Sequence, residues 1–206
     1  MRSENIFMEI IKRYKKFILV GILIFITGWI AGYLIFLNNP DMALRESSLF
    51  SGIEKKFTFF ENLSTPGRVV FLFLNNMLVA VLSIFLGSIL GLFPIIAAFI
   101  NGFIVGVISG SIIETEGAGY LLAGLVPHGI FELPAIFISI GMGLKLGYLI
   151  LSTIISILLG RSTKDEEFRI FLRDIKPAFK LIIVLLAIGA IIEVLITPLC
   201  IKIAGG

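Results

Sequence analysis

The chain has 206 residues, a length typical of a single domain. Hydrophobic residues make up 58% of it and charged residues only 15%, against about 25% charged in soluble domains, so the composition excludes an ordinary soluble protein and predicts one embedded in a lipid bilayer. The net charge of +3 comes from a few basic blocks, which are typical of membrane topology signals and lipid contact and do not indicate nucleic-acid binding.

The N-terminal segment predicts a surface helix followed by the first membrane span. In residues 2–16, apolar side chains recur every three or four positions and alternate with lysines and arginines, a pattern typical of an amphipathic helix at the membrane surface. Residues 17–37 then carry no charge, over the length of about 20 residues that a helix needs to cross the hydrocarbon core. We interpret residues 17–37 as an uncleaved span that the basic block orients.

The most polar stretch of the chain, residues 38–68, predicts an extracytoplasmic loop. Pro40 and Asp41 are typical of a helix start, and apolar residues recur at helical spacing after them. We therefore expect one or two short helices that lie on the membrane surface or cap the bundle.

A helical hairpin follows the loop. No ionisable residue occurs between Arg68 and Glu114, a run that suits two spans, which we predict at 69–90 and 93–113. Small residues spaced four apart allow membrane helices to approach closely. This spacing favours packing within the chain and leaves a homodimer face as the alternative. On the second of these spans the residues with this spacing, which we call the glycine stripe, are Gly102, Gly106 and Gly110.

The fourth span is preceded by a predicted break. Residues 117–126 are apolar but cover only about half a span, which is typical of a re-entrant or interfacial segment. Pro127, Gly129 and Pro134 then predict a hinge where a helix starts, breaks or restarts, and the fourth span follows at 130–159. Because irregular backbone at membrane depth must be satisfied by protein or by a water-filled cavity, the break is a candidate pocket wall.

The C-terminal part predicts a surface helix and a last span. Residues 161–177 are charged with apolar residues on one face, as in a cytoplasmic amphipathic helix, and Pro177 is expected to end it. The last span, 178–199, carries Glu193 in its interior. The fold class is therefore all-α: a single integral membrane domain with about five transmembrane helices. Five spans put both basic blocks on one side, which predicts a cytoplasmic N-terminus and an extracytoplasmic C-terminus in the cell membrane.

Polar side chains inside the predicted spans are the candidate functional residues. A charged residue at the centre of a membrane helix costs about 2.5–3.5 kcal/mol, so such residues need partners. His128 and Glu132 lie four residues apart and share a helix face, and the antiparallel last span brings Glu193 to a similar depth. We expect these three to form one hydrogen-bonded cluster in a cavity of the outer half of the membrane. The whole set is His128, Glu132, Glu193, Asn75, Asn76, Asn101 and Lys145.

Lys145 is predicted to lie near the midplane, too deep to reach the headgroups comfortably. Its expected partner is Glu193 or a carboxylate of a neighbouring subunit, with backbone carbonyls and Asn101 as the alternative. A network that only braces the helices is an alternative explanation for all seven polar residues.

Two motifs carry a resemblance to a known family. Residues 127–135, PHGIFELPA, followed by residues 143–147, GLKLG, resemble the signature of the stage II sporulation protein M family of bacterial and archaeal membrane proteins. Further matches to that pattern are Asn75, Asn76, Asn101, Gly102, Gly106, Ile192, Glu193, Thr197 and Pro198. The resemblance covers roughly residues 69 to 200. It implies the membrane fold and, as in endospore formers, a membrane anchor working with a lytic transglycosylase and an amidase.

Three classes of function follow. The resemblance favours a membrane scaffold or partner-binding component of an envelope-associated complex, whose partners are other membrane or envelope proteins. The buried polar residues would also suit a channel or transporter. An intramembrane enzyme is a weaker alternative, because one histidine with two carboxylates is a poor hydrolytic metal site and a nucleophile at Ser109 would need His128 as its base. We therefore expect no catalytic residue, no metal and no cofactor.

Overall fold

The computed structural model describes residues 2–40, 58–162 and 164–205, and these residues form long helices and no strand. Among the described residues, five helices are long and apolar enough to cross a membrane. The predicted all-α membrane fold with five spans is therefore confirmed. The helices are α1 Arg2–Asn38, α2 Thr65–Phe85, α3 Leu92–Thr115, α4 Ala118–Leu158, α5 Asp165–Leu195 and the short α6 Thr197–Ala204.

Helices α2 and α3 form the hairpin that the uncharged run predicts. Helix α2 begins where the Ser64 hydroxyl accepts a hydrogen bond from the Gly67 N–H at 3.4 Å, a typical N-cap. A short 3₁₀ turn, Leu86–Ser88, and Gly91 with φ of 76° then reverse the chain. Most of the loop before α2, residues 41–57, and with it the expected surface helices after Asp41, lies outside the described residues.

The glycine stripe of α3 packs against α1 of the same chain. A Cβ atom on Gly102 would lie 2.0 Å from the carbonyl oxygen of Phe25, and one on Gly106 would lie 2.1 Å from that of Trp29. Only a residue without a side chain fits such backbone contact, which is how membrane helices pack closely. The stripe is thus covered within the chain, as the spacing favours, and the alternative of a homodimer face on it is wrong.

Helix α4 is the central helix and has no break. It runs unbroken through Pro127 and Pro134, so the predicted re-entrant segment and the break before the fourth span are wrong. Each proline removes one backbone hydrogen bond, but packed neighbouring helices let membrane helices tolerate that loss. With 41 residues at about 1.5 Å each, α4 is about 60 Å long, roughly twice the thickness of a hydrocarbon core.

The extra length of α4 is covered by the first turns of α1 and α5. The surface helices predicted at 2–16 and 161–177 are not separate elements, since α1 continues into the span and α5 runs through Pro177. Their apolar faces bury Tyr14 and Phe171 against the C-terminal half of α4. The packing of α5 on α4 therefore offsets the cost of Pro177 inside α5, and reasoning about an isolated helix cannot include this packing.

An ion pair closes this arrangement at the end of the bundle that we call the basic end, where the blocks 2–16 and 161–177 both lie. The Arg13 guanidinium donates to Oδ2 of Asp174 at 2.5 Å, and the Tyr14 hydroxyl donates to the same oxygen at 3.1 Å. Asp174 is only 4% exposed. The two basic blocks therefore share one end, as five spans require.

Candidate functional site

Three side chains with metal- and proton-binding atoms converge inside the bundle. His128 and Glu132 lie one turn apart on α4, and Glu193 faces them from the antiparallel α5. One donor atom from each residue lies within 4.8 Å of the other two. The structure thus brings together the two residues that helical spacing groups in the sequence and the one that the antiparallel last span is expected to add, and we call these three residues the polar cluster.

The polar cluster lies near the middle of the bundle. Asn76 and Asn101, which lie beside it, are central in α2 and α3. His128 is ten residues into α4, about 15 Å from its first residue at about 1.5 Å per residue. The position expected from the sequence, in the outer half of the membrane, stays a prediction.

A cavity of about 170 Å³ opens beside the polar cluster, between α1, α2, α3 and α4. Its polar wall consists of Asn76, Asn101, His128 and Glu132, and Phe25 belongs to its apolar wall. A water molecule occupies about 30 Å³ in the liquid, so the cavity has room for several waters or for a hydrated ion.

The carboxylate of Glu132 is incompletely satisfied by the protein. Asn76 lies within hydrogen-bonding reach of it, and the Asn75 amide donates in turn to Oδ1 of Asn76 at 3.5 Å. The Oε1 atom of Glu132, however, is buried and has no hydrogen-bond partner among the described residues. A buried oxygen of this kind is costly unless a ligand, water or proton satisfies it.

Two residues that the sequence analysis did not select as site residues complete the surroundings. The Thr197 hydroxyl lies 3.5 Å from Nδ1 of His128, where α5 gives way to α6. Gly189 contacts the Glu132 side chain so closely that a Cβ there would lie 2.3 Å from Cγ of Glu132. Thr197 stands in the family-like pattern, and Gly189 lies one helical turn before Glu193, which is the only signal in the sequence that points to it.

Lys145 does not belong to the polar cluster. Its ammonium group pairs with the carboxylate of Glu167 on α5 and lies 5.5 Å and 5.1 Å from the ring centroids of Phe17 and Tyr148. The expected midplane position and the expected partners, Glu193, Asn101 or another subunit, are wrong. The start of α4 at Ala118 places Lys145 near the basic end.

The sequence did not identify Glu167 as the partner of Lys145, because Glu167 falls in the segment that predicts a surface helix. It also pairs with Lys164 at 3.3 Å, and Lys164 donates to the Tyr148 hydroxyl at 2.6 Å. That hydrogen bond, together with Glu167, raises the pKa of Lys164 above its ordinary value. The basic end therefore holds its own charge network, separate from the polar cluster.

No basic side chain neutralises the polar cluster in the described part of the chain, since its ion pairs involve Asp174 and Glu167 and neither Glu132 nor Glu193. Two carboxylates at membrane depth without a cationic partner suit the binding of a cation or a proton.

Ser109 does not belong to the polar cluster. Its hydroxyl donates to the Val105 carbonyl at 2.6 Å and accepts from the Trp29 indole at 3.2 Å.

Comparison with known proteins gives one family and two relatives. The family model described as "Stage II sporulation protein M" matches residues 21–198, and so confirms the resemblance read from the sequence motifs. Uncharacterized protein MJ0793 of Methanocaldococcus jannaschii is 33% identical over 88% of this chain and 93% of its own. Uncharacterized protein MJ0706 of the same organism is 29% identical over 92% and 86%. No solved structure matches the chain significantly.

Proposed function

The chain belongs to the stage II sporulation protein M family, and within that frame we propose that it is a multi-pass membrane protein that moves a cation across the bilayer through the polar cluster. One observation carries the proposal: an imidazole and two carboxylates converge within 4.8 Å of one another, beside a cavity at mid-bundle. Ionisable groups at that depth are costly and in membrane proteins typically mark ion or proton pathways.

The backbone of α4 supports movement at the cluster. Pro127 precedes His128 directly and Pro134 follows Glu132 by two residues, so the helix lacks one backbone hydrogen bond just before His128 and another in the turn that contains Glu132. Helices bend most readily at such positions. Transport requires the cavity to open to each side in turn, and α4 carries the two places where it could flex.

A membrane scaffold that binds partner proteins is the second candidate, favoured by the basic end. There α4 and α5 extend beyond the length of a span, and Ile157 and Leu158 are 65% and 79% exposed. A cavity of about 400 Å³ opens nearby, between Ile150 and Phe168. A partner from an envelope-associated complex would cover these residues, in the scaffold role that the sequence resemblance implies.

The proposal includes a location and an orientation. Five apolar helices and the family place the protein in a membrane. We propose the cell membrane, with the basic end in the cytoplasm, because basic residues near the ends of spans are retained on the cytoplasmic side.

A flux assay in proteoliposomes tests the proposed function. The full chain is reconstituted around dyes that report protons, monovalent cations or divalent cations, and a gradient of each ion is imposed. We expect flux of at least one cation above protein-free vesicles, and loss of that flux in Glu193→Gln. Glu116→Gln is the matched control, because Glu116 is exposed at the end of α3. Absence of flux for every cation would remove the transport function and favour the scaffold.

A further inference from the structure

We propose that the polar cluster is a binding site for one divalent first-row transition-metal ion, held by the imidazole of His128 and the carboxylates of Glu132 and Glu193. This inference rests on the proposed function, in that it names the class of cation that the site takes. It is argued from the donor atoms, their spacing, their charge and the space beside them.

The spacing of the three donors suits a small metal ion after slight adjustment. Imidazole nitrogens and carboxylate oxygens bind such ions at about 2.0–2.2 Å, so three evenly spaced donors on one ion lie at most about 3.8 Å from one another. The three donor atoms here lie within 4.8 Å of one another. Side-chain rotations that move each donor atom by less than about 1 Å would therefore close the site.

The charge of the cluster matches a divalent ion. Two ionised carboxylates carry the charge that one divalent cation neutralises, and no basic side chain pairs with them in the described part of the chain. The Glu132 carboxylate also has a buried oxygen, Oε1, without a hydrogen-bond partner there, so it has an unsatisfied acceptor to offer a metal ion. A monovalent ion would leave one negative charge uncompensated at membrane depth.

The donor types narrow the choice of metal. Imidazole suits zinc, iron and nickel, and carboxylates suit manganese and magnesium, so a mixed set favours Mn²⁺, Fe²⁺, Co²⁺ or Zn²⁺. Copper(I) prefers thiolate or thioether ligands, and neither is among the three donors. Magnesium and calcium prefer sites made of oxygen alone.

Three protein donors leave positions open on the metal, and the surroundings suit a bound ion that must also leave. The cavity of about 170 Å³ beside His128 and Glu132 has room for coordinating waters. Asn76 within reach of Glu132 and Thr197 at 3.5 Å from Nδ1 of His128 are the outer partners that orient ligands in metal sites. An incomplete protein shell binds more weakly than a closed structural site, as passage requires.

Metal titration of the purified chain tests the site. The full-length protein, without a histidine tag and stripped with chelator, is titrated with Co²⁺ by visible absorption and with Mn²⁺ by equilibrium dialysis. We expect one ion per chain, and affinity at least about tenfold lower in Glu132→Gln and in Glu193→Gln, since even outer-shell changes cost about 10–100-fold. Glu116→Gln and Glu167→Gln are matched controls that should bind as the wild type does, and thermal unfolding checks that each variant is folded.

A second measurement on the wild type needs no variant. The chain contains one histidine, so isotope-labelled histidine gives the imidazole signals of His128 alone. Mn²⁺ at the site should broaden these signals beyond detection at one equivalent, whereas Mg²⁺ should not. Unchanged imidazole signals at one equivalent of Mn²⁺, or equal Co²⁺ affinity in wild type and both cluster variants, would overturn the inference.

The metal inference and the proposed function fail separately. Metal binding that depends on Glu132 and Glu193 without flux of any cation would support the site and remove transport. Proton or monovalent-cation flux that Glu193→Gln abolishes, in a protein that binds no Mn²⁺, Co²⁺ or Zn²⁺, would support transport and overturn the metal site.

Discussion

Glu132 and Gly189 touch across the α4–α5 interface, where a Cβ on the glycine would lie 2.3 Å from Cγ of the glutamate. Glycine at this position lets α5 approach the stem of the Glu132 side chain. Glu193 follows one turn later on the same helix face, so the close approach also brings the two carboxylates together. The geometry of the polar cluster therefore depends on a residue with no functional group.

Replacing Gly189 should disturb both stability and the site. In Gly189→Ala the added methyl group displaces Glu132, and overpacking of this kind costs about 1–3 kcal/mol. Thermal unfolding in detergent should show the loss, and Co²⁺ titration should show weaker binding. The control is Gly119→Ala, since a Cβ at Gly119 meets nothing within 4 Å and alanine favours a helix by up to about 1 kcal/mol. Equal melting temperatures and affinities in the two variants would contradict this account.

The Arg13–Asp174 pair should matter more than its position near a helix start suggests. Arg13→Gln leaves the Asp174 carboxylate, 6% exposed, with the Tyr14 hydroxyl as its remaining close partner. A hydrogen bond to a charged group is worth about 1.5–3 kcal/mol, and a loss of that size should appear in thermal unfolding. Asp174→Asn in the Arg13→Gln background should recover part of it, because no buried charge is then left unpaired.

Arg173 provides the comparison for this pair, because its side chain is 70% exposed and lies 3.9 Å from Oδ1 of Asp174. Exposed pairs contribute about 0–1 kcal/mol. Arg173→Gln should therefore be nearly silent. A loss in Arg173→Gln as large as that in Arg13→Gln would mean that general charge at the basic end, and not the buried contact, provides the stability.

Lys145 and Glu193 should act independently. Lys145→Leu removes the partner of Glu167, but that carboxylate is 42% exposed and keeps Lys164 at 3.3 Å, so we expect a cost below about 1 kcal/mol, as for other exposed pairs. Combined with Glu193→Gln, the changes in unfolding free energy should add, because separate networks do not couple. An interaction energy above about 0.5 kcal/mol would indicate contact between the two networks.

The proposed orientation predicts which positions a membrane-impermeant thiol reagent reaches. In a Cys200→Ser background, cysteines at Met8 and Leu158, which are 55% and 79% exposed, should react only from the cytoplasmic side. A cysteine at Ile203, 82% exposed on α6, should react only from outside. Labelling of Met8→Cys and Leu158→Cys from opposite sides would exclude the five-span arrangement, and labelling of both from outside would invert it.

Sequence reasoning succeeded where a local property decides the structure. Apolar runs of span length, charge-free in the first three spans and with two charged residues in each of the last two, predict the five membrane helices because hydrocarbon disfavours charge whatever the neighbouring helices are. The four-residue spacing of His128 and Glu132 predicts their shared face because helical geometry is fixed. The glycine spacing predicts a packing face, although it does not identify α1 as the partner.

The failures concern properties that depend on neighbours. A proline costs about 3 kcal/mol in an isolated helix, which predicted a break at Pro127, but packing of α4 against α1, α2 and α5 keeps the helix whole. The false break then placed Lys145 near the midplane of the membrane, whereas it pairs with Glu167 near the basic end. The pairing of Lys145 with Glu167 followed from how far α5 extends beside α4, which local pattern does not contain.

The contact of α1 with the glycine stripe of α3 has a consequence for the order of membrane insertion. Synthesis proceeds from the N-terminus, so α1 enters the bilayer well before Gly102 and Gly106 emerge from the ribosome. The face of α1 that meets α3 includes Gly28 and Gly32, where an added Cβ would lie 2.2 Å and 2.1 Å from the carbonyl oxygens of Phe99 and Phe103. This face therefore contacts lipid until the α2–α3 hairpin has entered the membrane. Because that hairpin turns tightly at Gly91, α2 and α3 enter the membrane almost together. Helix α1 therefore packs against α3, and not against α2, which follows it directly in the chain.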